Sequence, residues 1–178
     1  FCNSLRPLLR DAHKKALVLG TGGASCAVMH GLKQLGITPQ LVSRTAKDGI
    51  ITYSDINADV MVEYKLVVNC TPLGMSPKTE FCPDIPYEHL TPEHLLYDLV
   101  YNPEETLFLK RGLEQGATVK NGLEMLYLQA EASVLERRQC RATNKLPRLT
   151  AKRSVLPACN LKNKCKLAYP NLKNINHA

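Results

Sequence analysis

The sequence predicts an α/β fold in which a doubly wound, mostly parallel sheet carries helices on both faces, followed by a disordered basic tail. Three observations support this prediction. Short apolar runs alternate with amphipathic segments from Lys15 to about Glu136, as they do in chains built from βαβ units. A glycine-rich stretch, Gly20–Ser25, connects the first apolar run to the first amphipathic segment. Beyond Glu136 the apolar residues are sparse and aperiodic, and three prolines interrupt any helix.

The first half of the alternating region predicts three strands and one helix. Ala16–Leu19 is a continuous apolar run that ends at a glycine, which is typical of a strand buried on both faces. From Ala24 to about Gly36 the apolar residues recur at near-helical spacing, and the glycine ends the helix. Gln40–Ser43 predicts a second strand, and Ile50–Tyr53 predicts a short third one.

The second half of this region predicts three further strands and two longer helices, with a proline-rich segment between them. In chain order these elements are a strand at Leu66–Cys70, a helical turn near Tyr87–Leu90, a strand at Leu95–Val100, a helix from Thr106 to about Gln115, a strand at Val119 and a helix from Leu123 to about Leu135. The prediction is therefore one α/β domain over residues 15–136.

Charge divides the chain into two parts. The whole sequence carries a formal net charge of +7, from 23 Lys and Arg against 16 Asp and Glu. Residues 1–135 hold 12 basic and 15 acidic side chains, whereas residues 136–178 hold 11 basic side chains and one acidic one. Residues 1–135 are therefore mildly acidic at −3, and the basic excess belongs to residues 136–178, whose net charge is +10. Such a tail is compatible with a nucleic-acid or acidic-surface partner.

Composition excludes several classes of protein. No apolar run approaches the roughly 18–20 residues of a membrane span, so no membrane partner is predicted. The seven cysteines show no CxxC spacing, which predicts no metal site and favours reduced thiols in the cytoplasm. We expect Cys26 and Cys70 to be buried as small apolar side chains. The opening Phe1–Asn3 is neither a start methionine nor a signal peptide, and it predicts a fragment.

The Gly20–Ser25 stretch, GTGGAS, has the context of a dinucleotide-binding turn because it follows a predicted strand and begins a predicted helix. Gly20 permits the tight turn, and Gly22 lets the backbone approach a pyrophosphate. Ala24 and Ser25 let the helix pack closely on the sheet, and its first N–H groups face the anion. This pattern is Rossmann-like. The alternative from local context is a glycine turn that binds no ligand.

The end of the second predicted strand favours NADP over NAD. An NAD site has Asp or Glu about 20 residues beyond the glycines, where it binds the ribose 2′-hydroxyl. Here the region reads Ser43-Arg44-Thr45-Ala46-Lys47, with no carboxylate before Asp48. Arg44 can pair with a 2′-phosphate and lay its planar guanidinium on adenine. Lys47 is a weaker candidate, and the alternative for Arg44 is a solvated surface side chain.

Five ordered motifs resemble the C-terminal, NADP-binding half of shikimate dehydrogenase. They are GTGGAS at 20–25, Ser43-Arg44-Thr45, NCTPLGM at 69–75, YDLVYNP at 97–103 and NGLEMLYLQA at 121–130. The resemblance covers about residues 1–135. One departure is Ser43, where the family pattern usually has asparagine. Quinate/shikimate dehydrogenase relatives share most of these motifs, and some of them carry an Asp for NAD at the second strand.

The resemblance implies NADP as the cofactor and a role for each matched position. The cofactor-binding residues would be Gly20, Thr21, Gly22, Gly23 and Ala24 at the pyrophosphate, Ser43, Arg44, Thr45 and Lys47 around the 2′-phosphate, and Thr71, Leu99, Gly122 and Met125 along the nicotinamide half. Tyr101 and Gln129 would contact shikimate from this side of the cleft. Without the family, Tyr101 would be interpreted as a packing tyrosine and Gln129 as an exposed helix residue.

The resemblance also implies an activity and a missing segment. The family transfers a hydride reversibly between NADPH and 3-dehydroshikimate, giving shikimate on the route to chorismate and the aromatic amino acids. Its catalytic Lys and Asp lie in the N-terminal half, and neither Lys65 nor Asp98 matches their motifs. We therefore expect residues 1–14 to be a linking helix from a missing substrate domain, 15–136 the NADP-binding domain and 137–178 a basic low-structure tail. Alone, the chain would bind NADP(H) and be inactive.

Two other interpretations of the tail remain open at this point. A catalytically silent nucleotide-binding module would use the basic tail to bind nucleic acid or an acidic surface through salt-dependent affinity. The tail has only one aromatic residue, Tyr169, which gives little support to base stacking. Alternatively, the tail is an artefact of a shifted reading frame, because the resemblance stops abruptly near Ser133–Glu136.

Overall fold

The computed structural model describes residues 1–143, with side chains through Ser133, and within this range it shows one six-stranded parallel sheet. The strands are β1 (Lys15–Leu19), β2 (Thr38–Ser43), β3 (Ile51–Thr52), β4 (Leu66–Asn69), β5 (Leu95–Asp98) and β6 (Thr118–Lys120). Their order across the sheet is β3-β2-β1-β4-β5-β6, which is that of a Rossmann-like doubly wound fold. The predicted α/β fold class is confirmed, and each predicted strand overlaps an observed one.

The central strands are apolar on both faces because helices cover both sides of the sheet. Every residue of β4 and β5 is buried, and so is every residue of β1 after the first. The register aligns Leu19 with Asn69 and Asn69 with Asp98, so the last residues of β1, β4 and β5 stand side by side. The strand order reverses between β1 and β4, and this is the position at which doubly wound sheets bind ligands.

Two apolar clusters hold four of the helices, α1 to α4, to the sheet. The helices are α1 (Cys2–Leu5), α2 (Gly23–Gln34), α3 (Ala58–Glu63), α4 (Leu107–Glu114) and α5 (Leu123–Thr143). On one face, Val28 and Leu32 of α2 pack in a cluster with the apolar residues of α1 and the sheet. On the other face, Met61 of α3 and Phe108 of α4 belong to the second cluster. Phe1–Glu136 forms one compact unit.

Helix α3 is not among the predicted elements. It has only six residues, so it is too short to show a helical repeat of apolar positions. Its start nevertheless has a recognisable sequence signal, the N-cap residue Asn57. The Asn57 side chain accepts a hydrogen bond from the Val60 N–H at 3.0 Å.

Residues 1–14 contain two short helical turns rather than one linking helix. α1 ends at Leu5, a 3₁₀ turn follows at Arg6–Leu8, and the chain is then extended at Leu9. Pro7 contributes to this break because it has no backbone N–H with which to extend α1. The segment is anchored to β5: the Ser4 and Tyr97 hydroxyls lie 2.7 Å apart, and Phe1 packs edge-on against the Tyr97 ring.

Helix α5 continues to Thr143, eight residues beyond its predicted end at Leu135 and into the segment expected to have low structure. Residues 137–142 are mainly Arg, Gln and Ala, which are good helix formers, and the next proline is Pro147. The remainder of the predicted basic tail, residues 144–178, lies outside the described residues, as do the interpretations that depend on it.

The expectation that Cys26 is buried is wrong. Its side chain is exposed, because the buried side of α2 carries Ser25, Val28 and Leu32, and residue 26 is rotated about 100° from residue 25. Cys70 is largely buried, which raises the pKa of its thiol to about 12. Among residues 1–133 the cysteines are free, and no cluster of His, Cys, Asp and Glu could hold a metal ion. None of the helices in the described part of the chain has the length and apolarity of a membrane span.

Candidate functional site

Loops that follow several strands meet at the carboxyl edge of the sheet, on either side of the point where the strand order reverses. The Val42 carbonyl accepts a hydrogen bond from the Gly20 N–H at 2.9 Å, and the Asn69 carbonyl accepts one from the Leu99 N–H at 3.1 Å. These bonds hold the first residues of the loops in register with the strands. Gly20, Thr71 and Leu99 therefore lie at neighbouring positions along one edge, as the cofactor prediction requires.

Gly20 turns the chain directly after β1. Its φ of +101° lies in the left-handed region that favours glycine. A Cβ at this position would also lie 3.0 Å from the Thr71 Cγ2, which is tighter than nine in ten Cβ contacts in real structures. The predicted tight turn is therefore present, and it brings together two residues assigned by the sequence to the same cofactor.

The amino end of α2 is open. Gly22 is its N-cap, no side chain caps the helix, and no heavy atom lies within 4 Å of where a Cβ of Gly22 or Gly23 would be. Ser25 is buried, and its hydroxyl donates back to the Gly22 carbonyl at 2.6 Å. Thr21 and Ala24 are exposed beside this turn. The first N–H groups of α2 thus lie at an open, uncapped helix end, the kind of position at which anions bind.

An exposed polar loop extends beyond β2 at the same edge. Ser43 Oγ accepts from the Thr45 N–H at 3.3 Å, and the Lys47 carbonyl accepts from the Ile50 N–H at 3.0 Å, which returns the chain toward β3. The Arg44, Thr45 and Lys47 side chains are exposed. Within the described residues no ion pair uses the Arg44 guanidinium, so its charge is available to an anion.

Tyr53 is a neighbour of Arg44 that the sequence analysis missed. β2 and β3 pair in parallel with Ser43 opposite Thr52, which places Arg44 and Tyr53 at the next positions along the two strands. Tyr53 packs against the apolar cluster of α3 and α4. Burial raises the pKa of its hydroxyl, and the nearby Arg44 opposes that shift. No spacing in the sequence reveals this neighbour, because the contact depends on the pairing of β2 with a strand of two residues.

Two fully buried polar side chains, Asn69 and Asp98, end β4 and β5. Asn69 Nδ2 donates to Asp98 Oδ1 at 3.0 Å. Asp98 Oδ1 also accepts from the Val100 N–H at 3.0 Å, and Oδ2 accepts from the Thr106 hydroxyl at 2.6 Å. Burial raises the Asp98 pKa to about 6, and these three hydrogen bonds oppose the shift. The available signal in the sequence was a polar residue that ends an otherwise apolar strand.

Gly122 lies against the loop that follows β5. A Cβ at this position would collide with the carbonyl oxygen of Leu99, and the Gly122 N–H donates to the Val100 carbonyl at 3.1 Å. Only glycine fits this close approach. Met125 is partly buried in the first turn of α5. The structure thus brings Leu99 and Gly122 together, while the contact of Met125 with a nicotinamide ring stays a prediction.

Tyr101 and Gln129, the predicted substrate contacts, are both exposed. Tyr101 is 40% exposed in the loop after β5, and Gln129 lies on α5. Among the hydrogen bonds of residues 1–133, none uses either side chain's polar atoms. The two side chains are therefore open to solvent, and their assignment to a substrate stays a prediction.

Comparison with known proteins identifies relatives of the chain. No protein-family model matches it. A protein named shikimate dehydrogenase (NADP(+)) from Desulforamulus reducens is 40% identical over 135 residues, which cover 65% of this chain and 46% of that relative. The chain spans about half the length of the curated relatives that it matches.

Two solved structures share the fold. A chorismate mutase/shikimate 5-dehydrogenase fusion protein from Clostridium acetobutylicum matches with a TM-score of 0.60 and 32% identity, over 74% of this chain and 50% of the other. Shikimate 5-dehydrogenase from Thermus thermophilus, solved in complex with NADP(H) and shikimate, matches with a TM-score of 0.58 and 30% identity. That alignment covers 70% of this chain and 49% of the other.

Proposed function

The chain is related to the shikimate dehydrogenases over about half of their length, and we propose that it forms the NADP(H)-binding half of such an enzyme. One observation carries the proposal. An uncapped helix amino end at Gly22–Gly23 and an exposed arginine, Arg44, occupy the same edge of a Rossmann-like sheet. The segment 43–47 holds no carboxylate that would repel a 2′-phosphate.

The residues at this edge divide the proposed cofactor site into three parts. The N–H groups at the start of α2 would bind the diphosphate, since the positive end of the helix dipole and unpaired donors both favour an anion there. Arg44, with Thr45 and Lys47 beside it, would bind the 2′-phosphate of the adenosine. The loops at Thr71 and Leu99 would border the nicotinamide half.

The proposed reaction is the reversible transfer of a hydride between NADPH and the carbonyl carbon of 3-dehydroshikimate, which gives shikimate. The cofactor supplies the hydride when bound, and this chain orients the ring through the loops after β4 and β5. Tyr101 and Gln129 would contact the substrate from this side.

The substrate oxygen needs a proton donor in the reduction, and neither of two candidate side chains in this chain can serve. Lys65 precedes β4 at the opposite edge of the sheet and pairs with Glu93 at 3.6 Å. Asp98 is fully buried and accepts three hydrogen bonds. We therefore propose that a Lys and an Asp outside these motifs handle the proton.

Because general acid–base catalysis contributes about 10²–10⁴-fold, the chain alone should oxidise shikimate at less than about 1% of the rate of a full-length relative. A higher rate would contradict this part of the proposal.

The role of Arg44 is tested by titrating the chain with NADPH and NADH by calorimetry. We expect Arg44→Gln to weaken NADPH binding by about 10- to 150-fold, because charge-assisted hydrogen bonds contribute about 1.5–3 kcal/mol. NADH lacks the 2′-phosphate, so its affinity should change far less.

The matched control for this experiment is Lys33→Gln, which removes the same charge from the last turn of α2 at the opposite end of the helix. It should leave the affinity for both nucleotides within about twofold of the unmodified chain. Equal binding of NADPH and NADH by the unmodified chain, or equal loss of NADPH affinity in both variants, would refute the assignment of Arg44. If neither nucleotide binds, the proposed function itself fails.

A further inference from the structure

The loop after β4 is held by the Asn69 side chain in a single orientation. Asn69 Oδ1 accepts from the Thr71 N–H at 2.9 Å and from the Thr71 hydroxyl at 2.6 Å, while Nδ2 donates to Asp98. A flipped carboxamide would point Oδ1 at the Asp98 carboxylate and Nδ2 at the Thr71 donor. By accepting from Nδ2, Asp98 therefore ensures that Oδ1 is the carboxamide atom that faces Thr71.

The same loop returns to the residue that binds the other oxygen of Asp98. Gly74 has a φ of +85°, and a Cβ there would lie 3.2 Å from the Phe81 carbonyl oxygen and 3.3 Å from Thr106 Cβ. Thr106 in turn donates its hydroxyl to Asp98 Oδ2. The 71–74 loop thus begins at Thr71, which donates to Asn69, and ends close to Thr106, which donates to Asp98.

Asp98 also holds a second loop. Its Oδ1 accepts from the Val100 N–H, which follows Leu99 directly. The Leu99 carbonyl packs against Gly122 at the start of α5. One carboxylate thereby connects the loop after β4 with the loop after β5. These are the two loops that would border the nicotinamide half of the cofactor.

We propose that Asn69, oriented by Asp98, is a positioning residue that shapes the nicotinamide side of the cofactor site. This inference rests on the proposed function. Both side chains are fully buried and act through Thr71 and Leu99 rather than by touching the cofactor. By holding the two loops in place beforehand, they remove the entropy cost of ordering them when the cofactor binds. The adenosine half is held elsewhere, by α2 and Arg44, and does not depend on them.

The test compares two ligands on the full chain by calorimetry. NADPH contains both halves of the cofactor, whereas adenosine 2′,5′-bisphosphate contains only the part assigned to α2 and Arg44. We expect Asn69→Leu, which removes every polar atom at similar volume, to weaken NADPH binding by about 10-fold. Binding of the bisphosphate should change by less than about twofold. If Asn69→Leu does not fold, variants at Asp98 carry the test, because Asp98 is fully buried and acts on the two loops through Asn69 and Val100.

A conservative pair of variants separates positioning from a structural role. Asp98→Ala should lower the ratio of NADPH to bisphosphate affinity, and Asp98→Asn should restore most of it, because the amide oxygen still accepts from Asn69 and Val100. Lys33→Gln, remote from both loops, is the unaffected control.

An equal loss of affinity for both ligands, or an unchanged ratio of the two affinities in all variants, would overturn the inference. If the unmodified chain binds NADPH no more tightly than the bisphosphate, the inference fails while the adenosine site stands; if it binds neither, the proposed function fails as well.

Discussion

Three glycines at the carboxyl edge of the sheet serve different purposes, because a methyl group would meet something different at each. Gly20 needs a φ of +101°, which an L-residue rarely adopts. Gly22 has an ordinary φ of −79° and open space around its Cα. Gly122 faces the Leu99 carbonyl, with no room for a side chain. Substitution by alanine should therefore separate binding from folding.

We expect Gly22→Ala to fold with little loss of stability and to lose affinity for NADPH, because its Cβ would enter the space assigned to the diphosphate. Gly122→Ala should lower the free energy of unfolding by about 1–3 kcal/mol, since a Cβ must displace the Leu99 backbone. Urea denaturation and NADPH calorimetry on the same two proteins measure both effects. The reverse pattern, with Gly22→Ala unstable and Gly122→Ala of normal stability, would contradict this assignment.

At the scale of elements, a buried histidine joins α3 to the start of β5. His94 Nδ1 accepts from the Thr91 N–H at 2.9 Å, so its proton is on Nε2, which donates to the Met61 carbonyl at 2.9 Å. His13 makes a similar connection before β1, between the Arg10 N–H and the Glu93 carbonyl. Burial lowers the pKa of both rings, and the neutral form is the one that these contacts require.

This geometry predicts acid sensitivity of the α3–β5 connection. Because the folded pKa of His94 is lowered, its contribution to stability is present above the unfolded pKa of about 6.5 and is lost as the pH falls below it. In His94→Gln, the slope of unfolding free energy against pH below about 6.5 should be smaller than in the unmodified chain, by up to about 1.4 kcal/mol per pH unit.

The measurement is urea denaturation from pH 7 to pH 5, expressed as the difference between variant and unmodified chain. Asp98 contributes with the opposite sign, because its raised pKa makes stability fall as the pH rises toward about 6, and taking the difference removes it. His30→Gln, on the exposed surface of α2, controls for the loss of an imidazole. Identical slopes in His94→Gln and the unmodified chain would contradict the role given to His94.

At the scale of the whole molecule, the site and the basic excess belong to different parts of the chain. Every residue assigned to the cofactor or substrate lies between Gly20 and Gln129, and the apolar clusters lie within the same unit, Phe1–Glu136. The basic excess begins after that unit.

Removal of residues 144–178 should therefore leave the NADPH dissociation constant within about twofold, since every residue assigned to the cofactor lies between Gly20 and Gln129. Retention on a poly(U) column should fall, because retention depends on the number of Lys and Arg that bind phosphates. The two measurements use the same pair of proteins at equal ionic strength. A tenfold loss of NADPH affinity would show that the segment contributes to the cofactor site.

The elements of the fold could be predicted from the sequence because their signals are local. A strand buried on both faces must be apolar at successive positions. The runs Ala16–Leu19 and Leu66–Cys70 therefore predict strands even when the neighbouring strands in the sheet are not known. Gly20 was predicted as a turn because the glycine follows a strand directly. Helix α3, by contrast, is too short to show a helical repeat of apolar positions. The end of α5 was missed because residues 137–142 were assigned to the tail by their basic composition, although most of them are good helix formers.

The sequence by itself determined the strand positions, the glycine turn, the place of Arg44 directly after β2 and the separation of charge. Only the tertiary structure decided the strand order, the pairing that places Tyr53 beside Arg44, the exposure of Cys26 and the hydrogen bonds that join Asn69 to Asp98. The physical reason is sequence distance. Asn69 and Asp98 are separated by 29 residues, and each is locally no more than a polar residue that ends a strand. They become one network only because parallel strands place their carboxyl ends side by side.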